Sequence, residues 1–383
     1  MRELKLFVLA LVLISTALKG ENLITLGQAG TEGELAFPRQ VAEGPDGNIY
    51  VYDQADALIK VYSPQGNFLR KIGGKGQGPG EIQRADGVSF GFTADGMLFF
   101  TEFFGGHPWI TIVELDGKLN RVIKPQVKEF FGISRVVSLA KGSFLVEFAF
   151  LGKPEKEKDY FYHRSQREIA LLDAEGQILS RIKQTNHITR ISYVHDGADS
   201  PIPYTPMFLW CPFDEKSILF SEGLETNIQV IDCSGKLVRK IETSLPKPEK
   251  VTGKDLDEWR KQRREMIQSR DPDWWSRFGK VIEKYKKSIY PHKPTIWEIN
   301  RTPGGRFLIA SRIERGQPRR GYWLMDKDGK EIVKVETSVW IMGISPDFVF
   351  FGQVDEDGVP SIKALTRRGK EEEDLLELRG QGS

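Results

Sequence analysis

One short hairpin recurs six times along this chain, and no other feature restricts the fold as much. It reads ALIKVYSPQGNFLRKI from Ala57, ITIVELDGKLNRVI from Ile110 and IALLDAEGQILSRI from Ile169. It returns as IQVIDCSGKLVRKI from Ile228, YWLMDKDGKEIVKV from Tyr322 and IKALTRRGKEEEDLLEL from Ile362. Each copy places Gly at the fourth turn position, where freedom at positive φ suits a tight reversal between two apolar strands. Upstream of each lies a second, shorter hairpin, such as VAEGPDGNIYVYD from Val41 and VSFGFTADGMLFFTE from Val88. Two hairpins make a four-stranded antiparallel unit of roughly 40 to 50 residues, and such a sheet, repeated, buries both faces by packing against its neighbours. The expected fold is all-β: a six-bladed β-propeller of four-stranded antiparallel blades.

A ring of blades must close. LITLGQAGTEGEL from Leu23 echoes LRKIGGKGQGPGEI from Leu69, and both precede the first strand of a blade. Leu23 to Leu26 is therefore expected as the outermost strand of blade six, with Asp374 to Arg379 as the rival for that place.

The first blade carries a family resemblance. Phe37-Pro38, Asp46 to Asp53, Ile59 to Tyr62 and Gly66-Asn67-Phe68 resemble the NHL-repeat consensus. Gly74 to Glu81 resembles the inter-blade linker of the bacterial six-bladed β-propeller family; the other five blades match in turn and strand pattern. The resemblance implies a six-bladed fold and a protein-, RNA- or glycan-binding role. Amidating lyases and calcium-dependent lactonases share six-bladed architecture, but their metal ligands find no residue-by-residue match here.

Composition limits the partners. The 383 residues carry a net charge of +2, so no strongly basic face for nucleic acid is expected. Arg2 and Lys5, an apolar run from Leu6 to Ile14, then Ser15 and Ala17 read as a signal peptide over 1–20, ahead of a propeller over 21–383. The run is too short to span a bilayer, which takes roughly 20 apolar residues, so no stable membrane span is expected after cleavage. The chain is placed outside the cytoplasm, secreted or periplasmic. Its two cysteines, Cys211 and Cys233, are expected to be unbridged. A strand lies between them, putting the Cα atoms about 9 to 10 Å apart, where a disulfide needs less than about 7 Å.

The tight turns fall at one end of each blade and the long segments at the other: Phe103 to Trp109, Leu151 to Arg167, Thr185 to Pro206, Pro248 to Pro294 and Glu314 to Gly321. Long loops on one side of a rigid scaffold are where binding concentrates. Within 248–294, between blades four and five, Leu256, Trp259, Arg263, Met266 and Ile267 have helical spacing, as do Trp274, Phe278, Val281, Ile282, Tyr285 and Ile289, which predicts a helical hairpin. Candidate ligand-binding residues are Trp109, Tyr160, Tyr162, Arg164, Arg319 and Arg320, because aromatics beside arginines suit stacking and bidentate capture of an acidic or sugar-like ligand. His107, His163, His187, His195 and His292 fall in presumed loops of the same face, without the HxH or HxxxH pairing of a metal site. No catalytic residue, metal ligand or cofactor is assigned. Two readings stand: a non-catalytic propeller binding or scaffolding a protein or glycan, and a metal-dependent hydrolase or lyase at the channel mouth.

Overall fold

The computed structural model describes residues 23–78, 80–103, 108–194, 199–268, 279, 290–312, 320–354, 360–367 and 370–378. Residues 1–20, expected as a signal peptide, and Arg319, His107 and His195 lie outside them. Among the described residues the strands form six antiparallel sheets. Sheet I comprises Pro38–Glu43, Ile49–Asp53, Leu58–Tyr62 and Phe68–Gly73. Sheet II comprises Val88–Phe92, Leu98–Glu102, Ile110–Val113 and Leu119–Ile123. Sheet III has Gly132–Ser138, Phe144–Leu151, Tyr160–Leu172 and Ile178–Tyr193, with the short strands Glu155–Glu157 and Asp199–Pro201 added. Sheet IV has Leu209–Asp214, Ser217–Ser221, Asn227–Asp232 and Leu237–Glu242. Sheet V has Ile296–Arg301, Phe307–Ser311, Arg320–Met325 and Glu331–Thr337. Sheet VI has Trp340–Ile344, Phe348–Val354 and Pro360–Thr366.

The long strands of each sheet pair in sequence order, with one exception. Leu23–Leu26 forms the outer edge of sheet VI, pairing Leu23 with Leu365 and Leu26 with Ile362. The linker echo located this strand; its rival does not compete, because Glu371–Glu377 is a helix.

Burial explains why the strands read as they do. The second strands IYVYD, LFFTE and SILFS are buried at every residue, so both faces of each sheet are covered. The fourth strand of sheet IV, Leu237–Glu242, is by contrast exposed at every residue but Ile241. The chain divides into two compact units, Met1–Gly74 with Thr337–Ser383, and Lys75–Glu336. In the first, sheets I and VI pack through Leu26, Val41, Val51, Phe350 and Ile362. In the second, sheets II and III share Ile112, Ile133 and Phe144; sheets III and IV share Leu145, Ile169 and Phe220; sheets IV and V share Cys211, Leu219, Ile309 and Trp323. Each such side chain, fully buried, contributes about 1.5–3 kcal/mol.

The turn glycines have a second use besides their positive φ. A Cβ on Gly329 (φ 85°) would stand 2.4 Å from the carbonyl oxygen of Glu242, in the last strand of the preceding sheet. Gly66 (φ 86°) meets Ile24 and the Thr25 carbonyl in the same way, so Leu23–Leu26 serves sheet I as the outer strands of other sheets serve their neighbours.

One expectation needs correction. Leu151 to Arg167 and Thr185 to Pro206 are not loops throughout. Their inner parts continue the 13-residue and 16-residue strands Tyr160–Leu172 and Ile178–Tyr193, so Tyr160, Tyr162, His163, Arg164 and His187 stand on strands. His163 to Arg167 is polar at every position, so no apolar period of two shows there. Of the helical hairpin, Gly253–Gln268 is a helix (α1) following sheet IV in the chain and preceding sheet V. Apart from Gly279, the stretch Trp274 to Ile289 lies outside the described residues.

Candidate functional site at the ends of the sheets opposite the tight turns

Three groups of residues stand out on sheets II to V, the first and third where the sheets present their longer connections and the second along the strands themselves. The first is a ribbon on sheet III. The second strand ends with Leu151 opposite Ser165, but the third and fourth strands run on, pairing Tyr160 with Tyr193 and Tyr162 with Ile191. Glu155–Glu157 and Asp199–Pro201 flank them. Ile191 and Ile202 are buried beneath Tyr160, Tyr162, Ile188 and Tyr290, a small apolar core that lets the ribbon stand beyond the sheet. Arg164 is occupied within it: Nε donates to Glu155 Oε1 at 2.8 Å and Nη2 to Oε2 at 3.2 Å.

The ribbon is fastened to its neighbours. His187 Nε2 lies 2.9 Å from Glu222 Oε1 at the end of the second strand of sheet IV, and this bond holds the Glu222 carboxyl below its ordinary range against the opposing effect of burial. The Tyr290 hydroxyl donates to the Ile188 carbonyl at 3.1 Å, and the Tyr204 hydroxyl donates to the Asp255 carbonyl in α1 at 3.3 Å. The Arg312 guanidinium lies 5.2 Å from the Tyr204 ring centroid. Ribbon, helix and the connection after the second strand of sheet V therefore meet as one canopy.

The second group lies on the first strands of sheets III, IV and V. Arg135 stands opposite Glu147 in register, donates to the Trp210 carbonyl, and donates to Asn300 Oδ1 at 3.3 Å. Asn300 Nδ2 donates to Glu298 Oε1 at 2.7 Å. Buried Glu147 accepts from Arg167 and from Trp210 Nε1; Arg167 also donates to Ser134 Oγ. A charge taken out of water needs such partners. None of these residues was singled out from the sequence. The available signal was a carboxylate inside the apolar run FLVEFAFL and a guanidinium inside GISRVVS.

The third group surrounds Trp109. A cavity of about 420 Å³ is lined by Glu81, Gln83, Glu102, Trp109, Thr111 and Lys124 among others. The linker ahead of sheet II, the end of its second strand, the start of its third and the end of its fourth supply these residues. Lys124 Nζ stands 4.3 Å from the Trp109 ring centroid. Glu102 Oε2 accepts from the Arg84 amide at 2.7 Å, and Glu81 Oε2 from the Gly78 amide at 2.6 Å, which fixes the linker against the sheet.

The six candidate residues thus fall in separate places. Trp109 lines the cavity; Tyr160, Tyr162 and Arg164 build the ribbon; Arg320 opens the third strand of sheet V with Nε and Nη1 buried and without a hydrogen-bond partner among the described residues; Arg319 lies outside the described residues. The described histidines do not converge either. His163 pairs with Ser192, His187 with Glu222, and His292 bridges to Lys250. Among the described residues no three His, Cys, Asp or Glu side chains group as metal ligands. A wider groove of about 840 Å³ lies at the opposite, tight-turn end of sheets I and VI, walled by Ile24, Asn67, Phe68, Asp347 and Arg367. Arg367 is committed there to Asp374 and to the Ser345 carbonyl.

A family described as a 6-bladed beta-propeller matches residues 40–87. No curated protein matches the chain. Among solved structures, virginiamycin B lyase from Staphylococcus aureus is 11% identical with a TM-score of 0.44, over 90% of this chain and 99% of that one. A protein of unknown function from Bacteroides caccae is 13% identical with a TM-score of 0.41, over 83% and 94%. A luciferin-regenerating enzyme is 12% identical with a TM-score of 0.43, over 91% and 96%. No activity is carried over from likenesses of this degree. Among the described residues no helix is long and apolar enough to cross a membrane.

Proposed function

We propose that this chain is an exported six-bladed β-propeller that binds a protein or glycan, without chemical turnover, at the ends of its sheets opposite the tight turns. Three features support the ring: strands that pair in sequence order, the exception of Leu23–Leu26 joining the last sheet, and the family match over 40–87. The NHL-like pattern of Phe37 to Phe68 agrees with it, and the charged, apolar and small-residue order of 1–20 supports export.

The canopy is the observation that carries the binding reading. Strand extensions, a helix and a long connection, which the sheets do not need for their own pairing, meet through Tyr204, Asp255, Ile188 and Tyr290. Elaborations of a rigid scaffold gathered at one end are where recognition is built. Purified protein screened on arrays of glycans and folded protein ligands tests the reading. A ligand recovered with its mass unchanged is expected; a ligand cleaved or rearranged by the protein overturns the non-catalytic part.

A further inference from the structure

The Trp109 cavity has a chemistry that narrows the ligand. Its volume, about 420 Å³, is in the range of small-ligand pockets, roughly 300–1,000 Å³. One wall is an indole, an apolar plane. Around it stand two carboxylates, an amide, a hydroxyl and an ammonium: Glu81, Glu102, Gln83, Thr111 and Lys124. One oxygen of each carboxylate is used by a backbone amide, and a carboxylate has further lone pairs on its second oxygen.

Charge decides among ligand classes. An anionic ligand would face two carboxylates against one ammonium. A cationic one would bring its charge beside that of Lys124, which stands over the indole ring. A neutral molecule with an apolar face and a rim of hydroxyls brings no charge for either sign to oppose, and each of its hydroxyls both donates and accepts. A pyranose ring has this form: its axial C–H bonds make one flat apolar face, and its hydroxyls lie around the edge.

We propose that the Trp109 cavity takes a neutral pyranose residue of a glycan, packed against the indole, with its hydroxyls shared among Glu81, Glu102, Gln83 and Thr111. This rests on the reading of the ends opposite the tight turns as the binding face, and specifies the ligand for one site on it.

Saturation-transfer-difference NMR on the full chain tests it, with methyl α-glucopyranoside, methyl α-mannopyranoside and methyl β-galactopyranoside as separate probes. Transfer to the C–H protons of one ring face of at least one probe is expected. It disappears in Trp109→Ala and persists in Trp297→Ala, an exposed tryptophan on the first strand of sheet V. No transfer to any of the three, or transfer unchanged in Trp109→Ala, overturns the proposal. Should Trp109→Ala lower the melting temperature, Thr111→Val retains the side-chain shape without the hydroxyl, and about three- to tenfold weaker binding is expected; unchanged affinity overturns the assignment. A glycan that binds elsewhere on the same ends with Trp109→Ala unimpaired removes the cavity assignment and leaves the wider reading standing.

Discussion

The Nε1 of Trp210 donates a 2.7 Å hydrogen bond to Oε2 of Glu147, a carboxylate buried between sheets III and IV. The partners lie 63 residues apart in sequence and join two sheets at the point where their shared apolar core gives way to charge. Replacing Trp210 by Phe keeps an aromatic ring and removes the donor, leaving the carboxylate short of a partner. A loss of about 2 kcal/mol in urea unfolding is expected, from the range of about 1–3 for an orphaned buried acceptor. A loss below the error of the extrapolation would contradict this account of the network.

Removal of the closing strand is expected to be costlier. Deleting residues 21–27 takes away the partner of Pro360–Thr366 and the fully buried Leu26, and exposes an unpaired edge. The melting temperature should fall sharply and the protein should become prone to association. An unchanged melting curve would mean that sheet VI does not depend on this strand.

Cys211 and Cys233 are both free. Burial pushes the Cys211 thiol up to about 12 and raises that of the half-buried Cys233. The native protein should react slowly with a thiol reagent at Cys233 and not at Cys211. After denaturation without reductant, two thiols per chain are expected. None, in a protein still monomeric, would contradict the strand order of sheet IV.

Helix α1 begins with a reciprocal cap. The Thr252 amide donates to Asp255 Oδ2 at 2.8 Å, the Asp255 amide donates to Thr252 Oγ1 at 3.3 Å, and Lys293 Nζ lies 2.8 Å from Asp255 Oδ1. Burial alone would raise the carboxyl, but the bonds from Lys293 and Thr252 outweigh it and hold the group at about 2. Its folded value is depressed, so the stabilisation is complete above the unfolded value of about 3.9 and is lost as pH falls through about 2. Asp255→Asn should cost about 1 kcal/mol at neutral pH, a modest figure for a side chain 21% exposed. Unfolding at a series of pH values should show the gap from wild type closing towards pH 2. A gap independent of pH would contradict the assignment.

What was legible in the sequence had a local cause. The turn glycines and the apolar pairs around them lie within about ten residues, so the hairpins could be read directly. Leu23–Leu26 was found although it pairs more than 300 residues away, because its linker repeats the one after Leu69. The ribbon was missed because His163 to Arg167 is polar at every position and shows no period of two, and its small core depends on Ile202 and Tyr290 from other segments. The Arg135 network was missed for a related reason: Trp210 and Asn300 come from sheets IV and V, 75 and 165 residues away. The cavity was half seen. Trp109 was named for its aromatic ring, but Glu81 reaches it through a linker that reads simply as a spacer, and Glu102 from the end of an apolar strand.

Hydrogen-exchange mass spectrometry of the full chain, with and without a ligand identified on the arrays, tests the central claim most directly. The account predicts slowed exchange in the linker 80–84, around Trp109, or in the canopy segments 155–164, 186–194, 199–204 and 253–268, with the tight turns 63–66, 114–117, 173–176 and 232–235 unchanged. Slowing confined to those tight turns, or to the groove beside Asn67 and Asp347, would contradict it.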